Sequence, residues 1–310
     1  LMGGIHLTLG VQVDKAIETS FIQMGQSLLQ DANSKGFLMT RPSLLPGEKL
    51  EFMFASPAKE AEFKEFLAKS YAEFRVDGTQ PAAEGRVKYT VSLDPAVRAR
   101  LAEMTLDQAL ATIRNRIDQF GVAEPDVRKQ QDNRIAIQLP GMSDPERAVD
   151  IIGKTAHLEF RLVRDDVNPK SKVLPRGVIV LPMERKSRTG QEQEEYIAVE
   201  DQVVLTGDRI SNAVPAFDQN NNAYVSLSFD RRGADIFARL TGDNVNRRLA
   251  IVLDGRVHSA PNINERISGG QASISGRFTP AEANDLAVVL RAGSLPAPAL
   301  VLEQRTVGPS

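Results

Sequence analysis

The chain of 310 residues sets 38 Lys+Arg against 40 Asp+Glu, a formal net charge of -2 at pH 7, with 25% charged residues and no cysteine. That length holds two or three domains large enough to bury a core, and the charge balance argues against a dedicated nucleic-acid binder, which carries a basic excess. Without cysteine there is no disulfide framework, thiolate metal site or Cys nucleophile, and no apolar run approaches the roughly 18 residues of a membrane helix.

In chain order, "LMGGIHLTLGVQVD" alternates Ile5, Leu7, Leu9, Val11 and Val13, a strand over about residues 4–13 that starts almost at the first residue. A helix is expected from about Asp14 to Lys35, with Ala16, Ile17, Phe21, Met24, Leu28 and Leu29 at helical spacing and Gly36 as its stop. A strand at "FLMT", a turn through Pro42 and Pro46-Gly47, and a strand at "KLEFMFA" follow. Ser56 reads as an N-cap with Pro57 at the first helical position. It opens a helix striped by Phe63, Phe66 and Leu67, and strands near "YAEFRV" and "RVKYTVSL" complete an α-β-β-α-β-β order, that of a small split-βαβ layer.

Thr105 and Gln108 read as the capping box of the next helix. Leu106, Leu110, Ile113, Ile117 and Phe120 line it, and Gly121 ends it in a left-handed position with Val122 against Ile117. Strands at "DVRKQ" and "RIAIQL" flank Asp132-Asn133, and Ser143 with Glu146 boxes a helix that Gly153 closes. Thr279 and Glu282 open a late helix that Gly293 ends before the strand "ALVLEQRTV". The repeated phrase reads as two parts of one domain interrupted by about residues 156–277. Within the interruption, "HLEFRLV" is a strand with Leu158, Phe160 and Leu162 on one face, and 165–200 reads as polar, loop-rich and mobile. "AYVSLSF" is a strand after the Asn-rich turn at 220–222, and a helix runs from about Arg232 to Arg248. "RLAIVLDGRVHSAPNI" is a hairpin about Asp254-Gly255, and "ISGGQASISGRF" a turn and a strand.

The search for chemistry returns no site. His6, His157 and His258 lie far apart in predicted strands without metal-ligand spacing and read as partly buried strand residues. "SGGQASISG" lacks G-x-G-x-x-G and follows a hairpin, so its glycines read as a tight turn needing positive φ. Asp254 reads as the residue a type I′ turn demands. Arg114 and Arg116 with Asp118 read as surface ion pairing on a helix, and "GQEQEE" as solvated loop. No serine occupies a nucleophile elbow. No catalytic, cofactor-binding or metal-binding residue is assigned, no cofactor is expected, and the expectation is a protein that is not an enzyme.

Spread in order over most of the chain are "GGIHLTL", "IRNRIDQFGVAEPDV", "RIAIQLPG", "TAHLEFRLV", "RLAIVLDGRVHSAPNI", "ISGGQASISG" and "LAVVLRAGSLPAPALVLEQRTVGPS". Together they resemble the SecD family, the membrane subunits of the bacterial SecDF protein-export factor in the resistance-nodulation-division superfamily. The resemblance implies an α+β fold, with ferredoxin-like (split βαβ) base layers and an inserted α+β head domain. The base is expected at 1–13, 95–155 and 278–310, an additional ferredoxin-like layer at 14–94, and the head at 156–277. The resemblance is weakest over about 14–94 and 165–200.

The resemblance also implies the periplasmic region between the first and second membrane helices of a bacterial inner-membrane protein, tethered at both ends. Its implied partners are unfolded preprotein, SecF, the SecYEG channel and YajC, without nucleic acid. The family assists preprotein translocation with the proton gradient, the head gripping and releasing the emerging polypeptide by hinge motion on the base. The proton-carrying carboxylates of the family belong to segments outside this sequence. In a β-α-β-β-α-β layer of order 4-1-3-2 the first and last strands are antiparallel neighbours. Both chain ends are therefore expected at one edge, with apolar segments of about 20 residues before Leu1 and after Ser310. Crossings near 154–157 and 275–279 make hinge candidates of Gly153, Lys154, Thr155, Ala156, Gly276, Arg277 and Phe278. Preprotein-contact candidates are Phe217, Tyr224 and Phe229, whose competing role is packing of the head core. The alternatives are a small-molecule-sensing regulatory protein built from ferredoxin-like layers, and an RNA-binding module, against which the lack of an aromatic RNP pattern speaks.

Overall fold

The computed structural model describes residues 3–186 and 192–307. Its elements begin with β1 (Gly4–Val11), α1 (Val13–Ser34), β2 (Ser43–Leu45), β3 (Lys49–Phe54), α2 (Glu60–Ser70), β4 (Phe74–Pro81), β5 (Val87–Leu93) and α3 (Pro95–Phe120). Then come β6 (Asp126–Gln130), β7 (Arg134–Pro140), α4 (Pro145–Gly153), β8 (Leu158–Leu162), β9 (Val178–Lys186), β10 (Glu192–Glu200), β11 (Leu205–Thr206) and β12 (Ile210–Phe217). The chain continues through β13 (Ala223–Phe229), α5 (Arg231–Asp243), β14 (Leu249–Leu253), β15 (Arg256–Ser259), β16 (Gln271–Phe278), α6 (Pro280–Ala292) and β17 (Ala299–Val307). Two compact units result, Leu1–Gly10 with Ala109–Ser310, and Val11–Gln108.

In the unit Val11–Gln108 the sheet order is β2-β3-β5-β4. Helix α1 buries Val13, Ile17, Phe21, Gly25, Leu28 and Ala32, a stripe recurring every three or four residues. Gly25 permits a close approach, since a Cβ there would stand 2.7 Å from Leu50 Cδ1. Rings fill the core: Phe52 stacks on Tyr89 at 5.4 Å and Phe54 on Phe63 at 4.3 Å. The expected strand at "FLMT" is reduced to one bridge, Met39 to Phe54, and β2 lies farther on. Thr40 explains this, because its hydroxyl takes the Met53 N–H at 2.8 Å that a longer ladder would need. Ser56 does not cap a helix with its side chain: its hydroxyl accepts from Leu38 N at 3.0 Å, and a 3-10 turn at Pro57–Lys59 leads into α2.

Helix α3 corrects a second expectation. It starts at Pro95, capped by the Asp94 carboxylate accepting from Ala96 N at 2.9 Å. Thr105 is therefore internal and donates to Leu101 O at 2.7 Å, a back-bond that satisfies the hydroxyl without ending the helix. The phrases at 105 and 279 are not equivalent.

In the other unit, one sheet has the order β17-β1-β7-β6. Counted along the chain this is 4-1-3-2, and β17 lies beside β1. Register pairs Ile5 with Leu139, Leu7 with Ile137 and Leu9 with Ile135, so one face is continuously apolar. Leu139 lines a small cavity there together with Ile117 of α3 and Ile151 of α4. Asp132 and Asn133 take φ of 58° and 55° in the β6–β7 turn. The cap of α4 is Asp144, accepting from Arg147 N at 3.0 Å, one residue beyond the expected Ser143.

A six-stranded sheet, β10-β9-β15-β14-β8-β11, and a three-stranded one, β12-β13-β16, complete this unit. The polar stretch 165–200 is not loop throughout, because β9 and β10 pair from Val178↔Glu200 to Lys186↔Glu192. Apolar alternation in β9 (Ile179, Leu181, Met183) packs around Val199 and Ala250 and outweighs the polar composition. Of "GQEQEE", Glu192–Glu195 lie in β10, and Gly190 and Gln191 fall outside the described residues. Val163 after β8 bridges Val199 of β10, which curls the sheet toward itself. Its other face, with Leu158, Phe160 and Ile251, shares a core with α5, α6 and the three-stranded sheet. Helix α5 ends at Asp243, short of the expected Arg248, because the Asn244 side chain donates back to Leu240 O at 2.9 Å. Helix α6 carries the expected reciprocal capping box of Thr279 and Glu282, and Gly293 follows it at φ 97°.

Candidate functional site

The three-stranded sheet has two unlike faces. Ala213, Val225, Leu227 and Ile274 point into the core. The register pairs Asn212, Val214 and Ala216 of β12 with Ser228, Ser226 and Tyr224 of β13, and those three with Gln271, Ser273 and Ser275 of β16. Period-two alternation puts this set on the opposite face, and none of its residues is charged. The outer strands differ as well. β12 contains Pro215, a residue that blunts an edge, whereas β16 contains no proline and no charge from Gln271 to Gly276.

An open groove of about 1290 Å³ borders this sheet, lined by Phe217, Tyr224, Ser273, Ser275 and Phe278, with Asp218 and Arg277 as its charged residues. The three predicted contact residues separate here. Phe217, 53% exposed, and Tyr224 line the groove. Phe229 is buried, with its ring 5.6 Å from Phe160 and 5.2 Å from Phe237.

The predicted hinge residues also lie in two settings. Gly153 ends α4, and Lys154, Thr155 and Ala156 lead to β8. Gly276, Arg277 and Phe278 belong to β16 rather than to a linker, with Phe278 paired to Ala223. The Phe278 ring stacks on His258 at 6.1 Å, and a Cβ at Gly276 would come within 3.0 Å of that ring.

Arg116 overturns the surface ion-pair expectation. It is 0% exposed. Its guanidinium donates to Ile151 O at 3.1 Å and Ile152 O at 3.0 Å at the end of α4, to Lys154 O, to Thr155 O at 3.5 Å and to Gly293 O at 2.9 Å. Two helix C-termini thus point their carbonyl dipoles at one cation, the favourable sense. Burial pushes the guanidinium down to about 10, with Asp254 opposing the shift. Ile113 and Ile117 already marked the buried stripe, and Arg116 falls on it by helical spacing. Arg114 donates to Val127 O at 2.9 Å.

Asp254 occupies the expected turn, at φ 50° before Gly255 at 78°. Its carboxylate also accepts from Ala156 N at 3.0 Å and His157 N at 2.8 Å, a role the local pattern did not show. His157 is exposed, and its Nε2 lies 3.0 Å from Glu159, which also accepts from Arg161 at 2.8 Å. The Glu159 hydrogen bond holds His157 above its ordinary value. Burial raises Glu159, but the His157 and Arg161 hydrogen bonds win and hold it down at about 2. His6 is exposed on β1, not partly buried. Among the described residues no cluster of His, Asp or Glu has metal-binding geometry, and no helix is long and apolar enough to cross a membrane.

The model of the SecDF P1 head subdomain matches residues 180–297, and that of the N-terminal part of the P1 domain of protein translocase subunit SecDF matches 106–165. Protein translocase subunit SecD of Syntrophobacter fumaroxidans is 41% identical over 315 residues, covering 100% of this chain and 59% of the relative. That of Desulfurispirillum indicum is 44% identical over 321 residues, with 100% and 60% covered. The chain thus spans about three fifths of the length of these curated relatives. A solved structure of SecDF, described as a membrane component that enhances protein export, is 33% identical with a TM-score of 0.52, over 76% of this chain and 98% of that one. SecDF in a super-membrane-facing form is 38% identical with a TM-score of 0.53, over 65% and 28%. These similarities give the small-molecule-sensing reading no support. The chain belongs to the SecD family of protein translocase subunits.

Proposed function

We propose that the chain is the periplasmic region of a SecD-type subunit and handles unfolded preprotein as it leaves the Sec channel. The observation that carries this reading is the uncharged face of the β12-β13-β16 sheet beside an unblunted β16 edge and an open groove. A site for unfolded chains of unrelated sequence needs main-chain edges and neutral or apolar walls, because charged walls select by sequence. Phe217 and Tyr224 supply aromatic contact, and β16 supplies the edge. Phe229 supports the groove from the core.

The β17-β1-β7-β6 sheet with α3 and α4 acts as a ferredoxin-like base, 14–94 as an additional ferredoxin-like layer, and residues 156–277 as the head. In the full-length protein, membrane helices tether the region at both ends. The proton gradient drives the head to swing on the base, in concert with SecF, SecYEG and YajC. Photo-crosslinkers at Phe217, Tyr224 and Ser273 of the full-length subunit should capture a stalled preprotein. Capture confined to base positions such as Gln138 overturns the reading.

A further inference from the structure

Both chain passages between the sheet β17-β1-β7-β6 and residues 156–292 run past one side chain. The chain leaves α4 through Lys154 and Thr155, and it returns from α6 through Gly293 and Leu295 to β17. The passages bond to each other, Leu295 N donating to Thr155 O at 2.9 Å. Arg116 donates to carbonyls of both, as described above. Helix α6 lies on the head side of this seam. It packs on β12, β13 and β16, its Ala283, Leu286, Ala287 and Leu290 share a core with Val225, Leu227 and Ile274, and Arg291 donates to Ala213 O at 2.9 Å. Its polar links across the seam are side-chain pairs, a bidentate one from Arg147 to Asp285 at 2.8 and 3.2 Å and a single bond from Arg291 to Gln119 at 3.2 Å.

We propose that these paired passages are the pivot of the head, that Arg116 is its pin, and that the moving body is residues 156–292 with α6 included. The proposal rests on the head-motion reading above and places the second hinge after α6 instead of at Gly276–Phe278. Bending at Gly276–Phe278 would break β16 away from β13 and open the shared core. Bending at the passages disturbs two single segments of chain and the packing of α6 on α4, where Ile151 joins the shared core. Asp254 holds the Ala156 and His157 amides on the head side and Arg116 holds the end of α4 on the base side; Lys154 and Thr155 lie between them with their carbonyls on Arg116, so the bend falls where the pin sits. On the return passage, Pro296 and Pro298 stiffen the chain beyond Leu295. A planar guanidinium offers five donors in a fixed fork, which one ammonium cannot reproduce across so many carbonyls. Rotation about this line changes the width of the charged groove of about 930 Å³ lined by Asp150, Lys154, Asp254 and Arg277.

The chain lacks cysteine, so spin labels can be placed in pairs at exposed positions. One pair, Gln138→Cys with Asn284→Cys, spans the seam; the other, Asn284→Cys with Asn212→Cys, lies within the proposed body. In Arg116→Met the first distance distribution is expected to broaden at least twofold while the second keeps its width. Broadening of the second with the first unchanged places the pivot at Gly276–Phe278 and overturns the proposal. Unchanged widths for both overturn the pin. Arg116→Lys, which keeps a charge and three donors, is measured alongside, and the criterion is applied to whichever variant retains a cooperative unfolding transition. Preprotein capture at Phe217 does not depend on where the pivot lies, so the two readings fail separately.

Discussion

At the scale of residues, the passage from α4 to β8 gathers groups of opposite preference. Arg116 takes the carbonyls and Asp254 takes the amides, so the backbone of Ile151 to His157 finds partners for both kinds of group. Next to it, the His157–Glu159 pair makes stability depend on pH. His157 is raised, so its contribution is complete below its unfolded value near 6.5 and is lost as pH rises through the folded value. Glu159 is lowered to about 2, so its contribution is complete above its unfolded value near 4.5 and is lost as pH falls toward about 2. The pair therefore contributes most between about pH 4.5 and 6.5. The melting-temperature loss in His157→Asn should be larger at pH 5.5 than at pH 8, and equal losses at the two pH values would rule the linkage out.

At the scale of elements, the same local phrase has two fates. Thr279 caps α6 and Glu282 returns the bond, whereas Thr105 lies inside α3 because Asp94 and Pro95 began that helix ten residues earlier. Thr279→Ala should lower stability by about 1 kcal/mol in a denaturant titration. Thr105→Ala should be neutral or slightly stabilising, since alanine is the better helix former; an equal loss at both positions would contradict the assignment. The β9–β10 hairpin makes a similar point for strands. Polarity suggested loop, but the alternation of Ile179, Leu181 and Met183 was present in the sequence and is what packs around Val199.

At the scale of the molecule, the two compact units have different cores. Val11–Gln108 is held by rings, with Phe63 within 4.3 to 6.2 Å of Phe37, Phe52, Phe54, Phe66 and Tyr89. Phe63→Ala should cost this unit about 3–5 kcal/mol, read as lost amide protection in β3 and β5; a cost under about 1 kcal/mol would mean that the ring cluster is not its core. In the other unit the continuous cluster from Ile151 to Leu290 joins the six-stranded sheet, the three-stranded sheet and α6. The candidate groove lies beside that cluster, with a packed face behind the uncharged one. Proline on β12 and its absence from β16 leave one edge of the three-stranded sheet unblunted toward a partner.

Whatever depends on neighbours a few residues away was legible in the amino-acid sequence. The alternation of β1, the Asp254-Gly255 turn, the Thr279 capping box, the left-handed Gly121 and the helix stop at Gly293 all follow from φ, ψ and short-range hydrogen bonds. The ordered phrases were enough to identify the family. Tertiary structure alone decided which aromatic residues face the groove, on which side of the seam α6 packs, and what Arg116 does. Helical spacing put Arg116 on the buried stripe, but its acceptors lie 35 residues away at Ile151 and 177 away at Gly293. No window of sequence contains them. Burying a cation is tolerable only where many carbonyls converge on it, and that convergence exists only once the helix ends and both passages have been brought together.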